Sequence, residues 1–229
     1  GTEPEELTGS LMHSSLTRRQ ILAAAVALAP LLAFGMPRFA AAQDTAEAPV
    51  VPELTLGDPN APVKVVEYAM FSCPHCADFQ SGTFPQVQKE YIDTGKVFWT
   101  FREVFFNKPG LWAAMIARCA PQDRYFGIAD LIFSTQAAWM MNPDGTVRDD
   151  ASMVEALYRI GRQAGLSDAE MDKCMNDRAF AEALVTSYQK NAGADGIDST
   201  PTFIINGTKV DGALPFDQFK AELDKALGA

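Results

Sequence analysis

Two cysteines three residues apart close the stretch Phe71-Ser72-Cys73-Pro74-His75-Cys76, which follows directly on an apolar run. Their placement restricts the fold more than the cysteines do by themselves. Val63, Val65, Val66, Tyr68, Met70 and Phe71 make that run nearly continuous, the pattern of a strand covered on both faces. Proline at the first helical position sacrifices no hydrogen bond, so a helix is predicted to start at Cys73 or Pro74. Two cysteines on the first turn of a helix can close a small disulfide ring. The first of them sits where unpaired backbone N–H groups and the helix dipole favour a thiolate. A stabilised thiolate favours the dithiol and makes the disulfide oxidising, so the motif points to thiol–disulfide chemistry.

The competing readings of the motif are weaker. A zinc site would require two more ligands at similarly close spacing, and the remaining cysteines, Cys119 and Cys174, stand alone and far apart. Beyond residue 42 the one histidine is His75 itself, on the same turn as Cys73 and badly placed as general base of a Cys–His pair. No metal and no organic cofactor are expected.

The N-terminal segment reads as an address rather than as part of the fold. Thr17-Arg18-Arg19-Gln20 precedes an alanine-rich apolar run over residues 21–34, and Phe39-Ala40-Ala41-Ala42-Gln43 follows as a small-residue cleavage pattern. This is the order of an export signal, with cleavage expected after Ala42. The run is shorter than the ~20 residues a spanning helix requires, and Pro30 interrupts it. Two readings of Arg18-Arg19 stand: a twin-arginine signal, or simple n-region charge. Glu3, Glu5 and Glu6 are foreign to an n-region, which makes Met12 the expected natural start.

Export implies an oxidising compartment, where free thiols are a liability. Cys119 and Cys174 are therefore expected to form a structural disulfide; two unpaired buried cysteines and a second redox pair remain as alternatives. The net charge of the chain is −10, which argues against nucleic acid and against anionic membranes as partners.

Along the rest of the chain, residues 43–52 are Ala/Pro-rich and expected to be a mobile tail. Gly82 and Pro85 should break or kink the helix that opens at the cysteines, and Gly95 should end it. Residues 97–104 read as a second strand, with Val97, Trp99 and Phe101 on one face. Helical patterns then follow over 111–120, 123–134, 151–164, 168–175 and 180–190. Ser167 and Glu170 form a capping box for the fourth of these. Trp139-Met140-Met141 is expected to belong to the core. Strand character returns at Thr202-Phe203-Ile204-Ile205, followed by the hairpin signal Asn206-Gly207. An amphipathic helix over 217–227 closes the chain, with Phe219, Leu223 and Leu227 on one face.

The order is strand, helix, strand, a block of helices, hairpin, helix. It resembles the thioredoxin fold carrying the inserted helical domain of the DsbA family, an α/β architecture. Cys73-Pro74-His75-Cys76 matches that family's active-site motif. Glu67-Tyr68-Ala69-Met70-Phe71-Ser72 resembles its lead-in strand, Ser199-Thr200-Pro201-Thr202-Phe203 its cis-proline loop, and Gly212-Ala213-Leu214-Pro215-Phe216 its entry into the last helix. The organisation implied is a leader over 1–42, a tail over 43–52, and a DsbA-like domain over 53–229 with its helical insertion over about 108–192.

The resemblance implies roles. Cys73 is the exposed nucleophile and Cys76 the more buried resolving cysteine. Pro74 and His75 complete the active site, His75 stabilising the Cys73 thiolate. Pro201 is cis and, with Thr200, offers a strand-like edge for substrate. Glu67 is either a relay for the proton of Cys76 or a salt-bridged strand residue. The family carries the Cys119–Cys174 pair in only some members. The function implied is donation of the Cys73–Cys76 disulfide to folding exported proteins that carry thiols, in the periplasm, with reoxidation by a membrane partner of DsbB type. Alternatives are a disulfide isomerase or reductase, or a redox-inactive chaperone or binding module. Isomerases usually add an oligomerisation segment. The tail before Val50 is short and lacks heptads, so a monomer is expected.

Overall fold

The computed structural model describes residues 49–228; the leader, its cleavage pattern and the Arg18-Arg19 pair lie outside the described residues. A five-stranded sheet has the order β1-β3-β2-β4-β5. Its strands are β1 (Leu54–Leu56), β2 (Val63–Ala69), β3 (Val97–Glu103), β4 (Thr202–Ile205) and β5 (Thr208–Asp211). β2 and β3 run parallel, with Val65 opposite Trp99, and every other pairing is antiparallel. The parallel pair requires a crossover, which α1 (Pro74–Gly82), α2 (Phe84–Val87) and a π-helical turn at Gln88–Ile92 supply. The helix breaks between Gly82 and Phe84, one residue before Pro85, whose ring cannot continue the i→i−4 ladder.

Between β3 and β4 run α3 (Lys108–Arg118), α4 (Tyr125–Ser134), α5 (Gln136–Met140), α6 (Asp150–Gln163), α7 (Asp168–Met175) and α8 (Arg178–Asp195). Local chemistry accounts for their ends. Asn107, Asp149 and Asp177 cap α3, α6 and α8 through side-chain oxygens. Ser167 and Glu170 close the capping box on α7. Asn206 and Gly207 turn the β4–β5 hairpin with φ of 46° and 85°, the positive values that a two-residue turn demands. α9 (Phe216–Leu227) follows.

The buried residues form two cores. In one, Phe79, Trp99, Phe203 and Phe219 pack together under α1 and α9, with ring centroids 4.6 Å apart for Phe79–Phe203 and 5.2 Å for Phe79–Phe219. In the other, Phe71, Phe101, Ile132, Phe133, Trp139 and Leu157 join the sheet to the helical block. Trp139 is thus a core residue, its indole N–H donating to the Ile132 carbonyl at 2.9 Å. A buried ion pair, Arg118 Nη2 to Glu103 Oε2 at 2.7 Å, ties α3 to the end of β3, and the Tyr125 hydroxyl donates to the same carboxylate at 2.8 Å. Gly110 allows α3 to approach the motif: a Cβ there would lie 2.8 Å from Cγ of Met70.

Two elements have no counterpart in the sequence expectation. β1 is three residues long and exists through its antiparallel pairing with Trp99–Phe101. α5 is a single short helix set off from α4 at Thr135. The tail expected over 43–52 is described only from residue 49, and within it the Pro52 carbonyl accepts from Arg118 at 3.2 Å.

Candidate active site

The central strand β2 ends at Ala69, and a tight turn hands the chain to α1. The Cys73 N–H donates to Met70 O at 2.9 Å. Cys73 then serves as N-cap of α1, with φ −87° and ψ 119° and no side-chain cap. Its carbonyl accepts from the N–H groups of Cys76 and Ala77 at 3.1 and 3.2 Å. A residue in that position presents its side chain to the unpaired N–H groups of the first turn.

Cys73 and Cys76 are present as free thiols, and their environments differ. Cys76 is 0% exposed, and burial pushes its pKa far up, with the neighbouring Cys73 sulfur adding to the effect. The Cys73 pKa is lowered from the ordinary 9.0 to about 5, chiefly by the hydrogen bond from the Cys76 thiol. The Thr200 side chain and the backbone N–H groups of Cys76 and His75 lower it further against the opposing cost of burial. As a thiol, Cys73 donates to the Thr200 carbonyl at 3.3 Å. Its exposure is 7%, less than the open nucleophile expected, because the Thr200–Pro201 loop lies over the sulfur.

The Thr200–Pro201 peptide bond is cis. Thr200 is half-buried and Pro201 buried, immediately before β4. Pro74 and His75 lie exposed on the first turn of α1. The His75 imidazole faces Asp78, Nδ1 to Oδ2 3.9 Å, with its side chain 76% exposed. What His75 brings to the Cys73 sulfur in this arrangement is its backbone N–H.

Glu67 lies beneath the motif on β2, between Phe101 of β3 and Phe203 of β4, and is 0% exposed. Its partners are neutral donors, not the lysine or arginine of the salt-bridge alternative. Gln80 Nε2 donates to both carboxylate oxygens at 2.8 and 3.0 Å, and Trp99 Nε1 donates at 3.1 Å. Burial raises the Glu67 pKa to about 8 against these donors. Its charge in turn raises the Cys76 pKa, so the two groups are electrostatically coupled. Gln80 also lines a cleft of about 410 Å³ whose walls include Phe84, Phe126 and Phe133.

Cys119 at the end of α3 and Cys174 on α7 are paired with Cα atoms 5.8 Å apart, and they take no part in the site. Three polar residues at the site escape sequence reasoning: Gln80, Trp99 and Gln136. Gln136, at the start of α5, donates from Nε2 to the carbonyls of Phe71 at 2.7 Å and Cys73 at 2.9 Å. A neutral amide in a helix carries no spacing signal. The one available hint is that Gln80 stands one turn beyond Cys76 on the same helix.

Residues 50–225 match the profile of the family described as Thioredoxin. A putative protein-disulfide oxidoreductase of Rickettsia bellii is 30% identical over 76% of this chain and 64% of its own. The disulfide bond formation protein D of Bacillus subtilis is 26% identical over 75% of this chain and 76% of its own. The chain spans 60–64% of the length of the Rickettsia bellii and Rickettsia felis relatives. Among solved structures, alpha-DsbA1 of Wolbachia pipientis superposes with a TM-score of 0.69 at 30% identity, covering 80% of this chain and 94% of that one. Oxidised BdbD of Bacillus subtilis gives 0.65 at 25% identity, covering 77% and 94%.

Proposed function

The chain belongs to the DsbA-type branch of the thioredoxin family, and from that membership we propose that it is a thiol:disulfide oxidoreductase donating the Cys73–Cys76 disulfide to folding exported proteins. The observation that carries the reading is the asymmetry of the pair: one sulfur stabilised as a thiolate at a helix start, the other buried as a thiol. A stable Cys73 thiolate favours the dithiol and leaves the disulfide ready to give itself away.

The exchange balances as follows. A substrate thiolate attacks Cys73 Sγ of the disulfide; the Cys73–Cys76 bond breaks and Cys76 departs with its electron pair. Burial disfavours that thiolate, so it takes up a proton, and Glu67 holds one at neutral pH because its pKa lies near 8. A second substrate thiolate then attacks the substrate sulfur of the mixed disulfide, and Cys73 leaves as the stabilised thiolate. The substrate gains a disulfide and the enzyme gains two electrons. His75 supports the thiolate through its backbone N–H. Thr200 and Pro201 supply the backbone edge along which an extended substrate pairs. The place of action is the periplasm, the second partner a membrane reoxidant of DsbB type.

The test is the equilibrium of the Cys73–Cys76 pair against glutathione, with Cys73→Ala as control. A strongly oxidising potential is the expected result. A value near the roughly −270 mV of thioredoxin would reject the oxidase and point to a reductase or isomerase.

A further inference from the structure

The backbone around Cys73 is held from the helical block by one side chain. Gln136 is 9% exposed at the first position of α5. Its amide nitrogen carries two hydrogens, and the structure uses one on each of two carbonyls, Phe71 O at 2.7 Å and Cys73 O at 2.9 Å. These carbonyls belong to different peptide planes, 71–72 and 73–74. The plane between them, 72–73, is held by the bond from Cys73 N to Met70 O at 2.9 Å. With the planes on both sides of its Cα held, Cys73 has its φ and ψ set, and with them the direction of its Cα–Cβ bond.

Gln136 is itself firmly placed. The Thr135 carbonyl accepts from Ala138 and Trp139 N–H at 2.8 and 3.2 Å. The Trp139 indole reaches back across the break between α4 and α5 to Ile132 O. Phe133, one turn earlier, packs on the Phe71 ring with centroids 4.6 Å apart. The break at Thr135 therefore has a use: it turns the first residue of α5 onto the motif while α4 stays packed against α1.

We propose that Gln136 is a positioning residue for exchange at Cys73, a two-pronged lock by which the helical block fixes the backbone on both sides of the reactive sulfur. The proposal rests on the reading of Cys73 as the reactive cysteine. The lock keeps the sulfur beside the Cys76 thiol and the Thr200–Pro201 loop. Without it, the 71–72 plane loses its bond from the helical block and the 73–74 plane keeps only the bonds of the Cys73 carbonyl to the N–H groups of Cys76 and Ala77, and the donors that hold the thiolate fall out of register. Only a group with two hydrogens on one atom makes both bonds. Gln136→Met removes both donors at similar volume, and Gln136→Glu turns them into lone pairs facing two carbonyl oxygens.

The Cys73 thiolate is titrated by its ultraviolet absorbance in wild type, Gln136→Met and Gln136→Glu. Denaturant unfolding of the dithiol and disulfide forms of each protein runs beside it. The expected result is about a tenfold lower ratio of thiolate to thiol near pH 5 in Gln136→Met and a larger drop in Gln136→Glu, each with a greater loss of stability in the dithiol than in the disulfide form. Equal losses in both redox forms with an unmoved titration would overturn the proposal and leave Gln136 a structural residue. If neither variant folds, side-chain amide exchange of Gln136 in wild type decides. Two slowly exchanging hydrogens support the lock, and two fast ones reject it. The titration requires no turnover. A wild type inert toward glutathione, with the variants still shifted, would reject the proposed function and support the lock.

Discussion

Cys73 and Cys76 lie on one helical turn, whereas Cys119 and Cys174 are separated by 55 residues and join α3 to α7. The first pair is built for change. Its two sulfurs sit in unlike surroundings, one beside a helix start and a carbonyl-lined loop, the other sealed under α1 with a buried acid nearby. The second pair closes a long loop within the helical block. On the proposed function the same covalent bond is reactive in one region and structural in the other, and the difference lies in which redox form the surroundings favour. At the motif they favour the dithiol; between α3 and α7 they hold two helices together.

The sharpest way to break this contrast is Cys73→Ala, which should abolish exchange with any thiol substrate. The complementary test on intact protein is the pH profile of Cys73 alkylation, with an inflection near pH 5. Its sign is defined. A group whose folded pKa is depressed contributes stability to the dithiol that is present above the unfolded value near 9 and is lost as pH falls through about 5. An inflection near 9 would erase the asymmetry between the pairs.

Next in size is the removal of the other pair. Replacing Cys119 and Cys174 with Ala should lower stability by about 4 kcal/mol on the loop-entropy model for a separation of this length, measured by denaturant unfolding. The Cys73 alkylation profile should stay where it is. A shift of that profile would show that the two pairs are coupled through the helical block.

Glu67→Gln should slow the release of Cys76 by about 10² in stopped-flow exchange, the range of a lost general acid. It should also change the pH dependence of stability. Glu67 has a folded pKa near 8, above its unfolded 4.5, so its contribution is fully present below 4.5 and is lost as pH rises through 8. The variant should therefore flatten that loss, a difference on the order of a few kcal/mol. An unchanged slope would show that Glu67 does not titrate in this range.

The smallest expected effect belongs to Gln80→Leu. Gln80 lowers the Glu67 pKa by donating to both oxygens, so its loss should move the Glu67 midpoint above 8 and change exchange at neutral pH by no more than about tenfold. Carboxyl NMR through the titration reads the midpoint directly, and a downward move would contradict the arrangement.

Much of the scaffold was legible because it is written locally. The apolar run of β2, proline at the first position of α1, the breaks at Gly82 and Pro85, the Asn206-Gly207 turn and the Ser167/Glu170 box each depend on residues within a few positions of one another. β1 was not legible, since three residues carry no period and the strand exists by pairing with Trp99–Phe101 across the fold. α5 was missed because a five-residue helix whose large apolar side chains are Trp139 and Met140 reads as a continuation of the core. At the site, the cysteines and Glu67 carried a chemical signature in the sequence. Gln80, Trp99 and Gln136 did not, because amides and indoles are common donors whose significance depends on what faces them.

By itself the sequence determined where the C-x-x-C pair lies, that it opens a helix, and that a buried strand carrying an acid leads into it. These follow from periodicity and from the fixed geometry of proline, glycine and helix termini. Tertiary structure alone decided that the Cys73 thiolate is favoured while that of Cys76 is suppressed, that Glu67 keeps its proton to near pH 8, and that a glutamine 63 residues away holds the motif in place. The reason is physical. Protonation and aim depend on desolvation and on donors brought in from distant parts of the chain, and those terms have no value until the two cores have closed around the sheet.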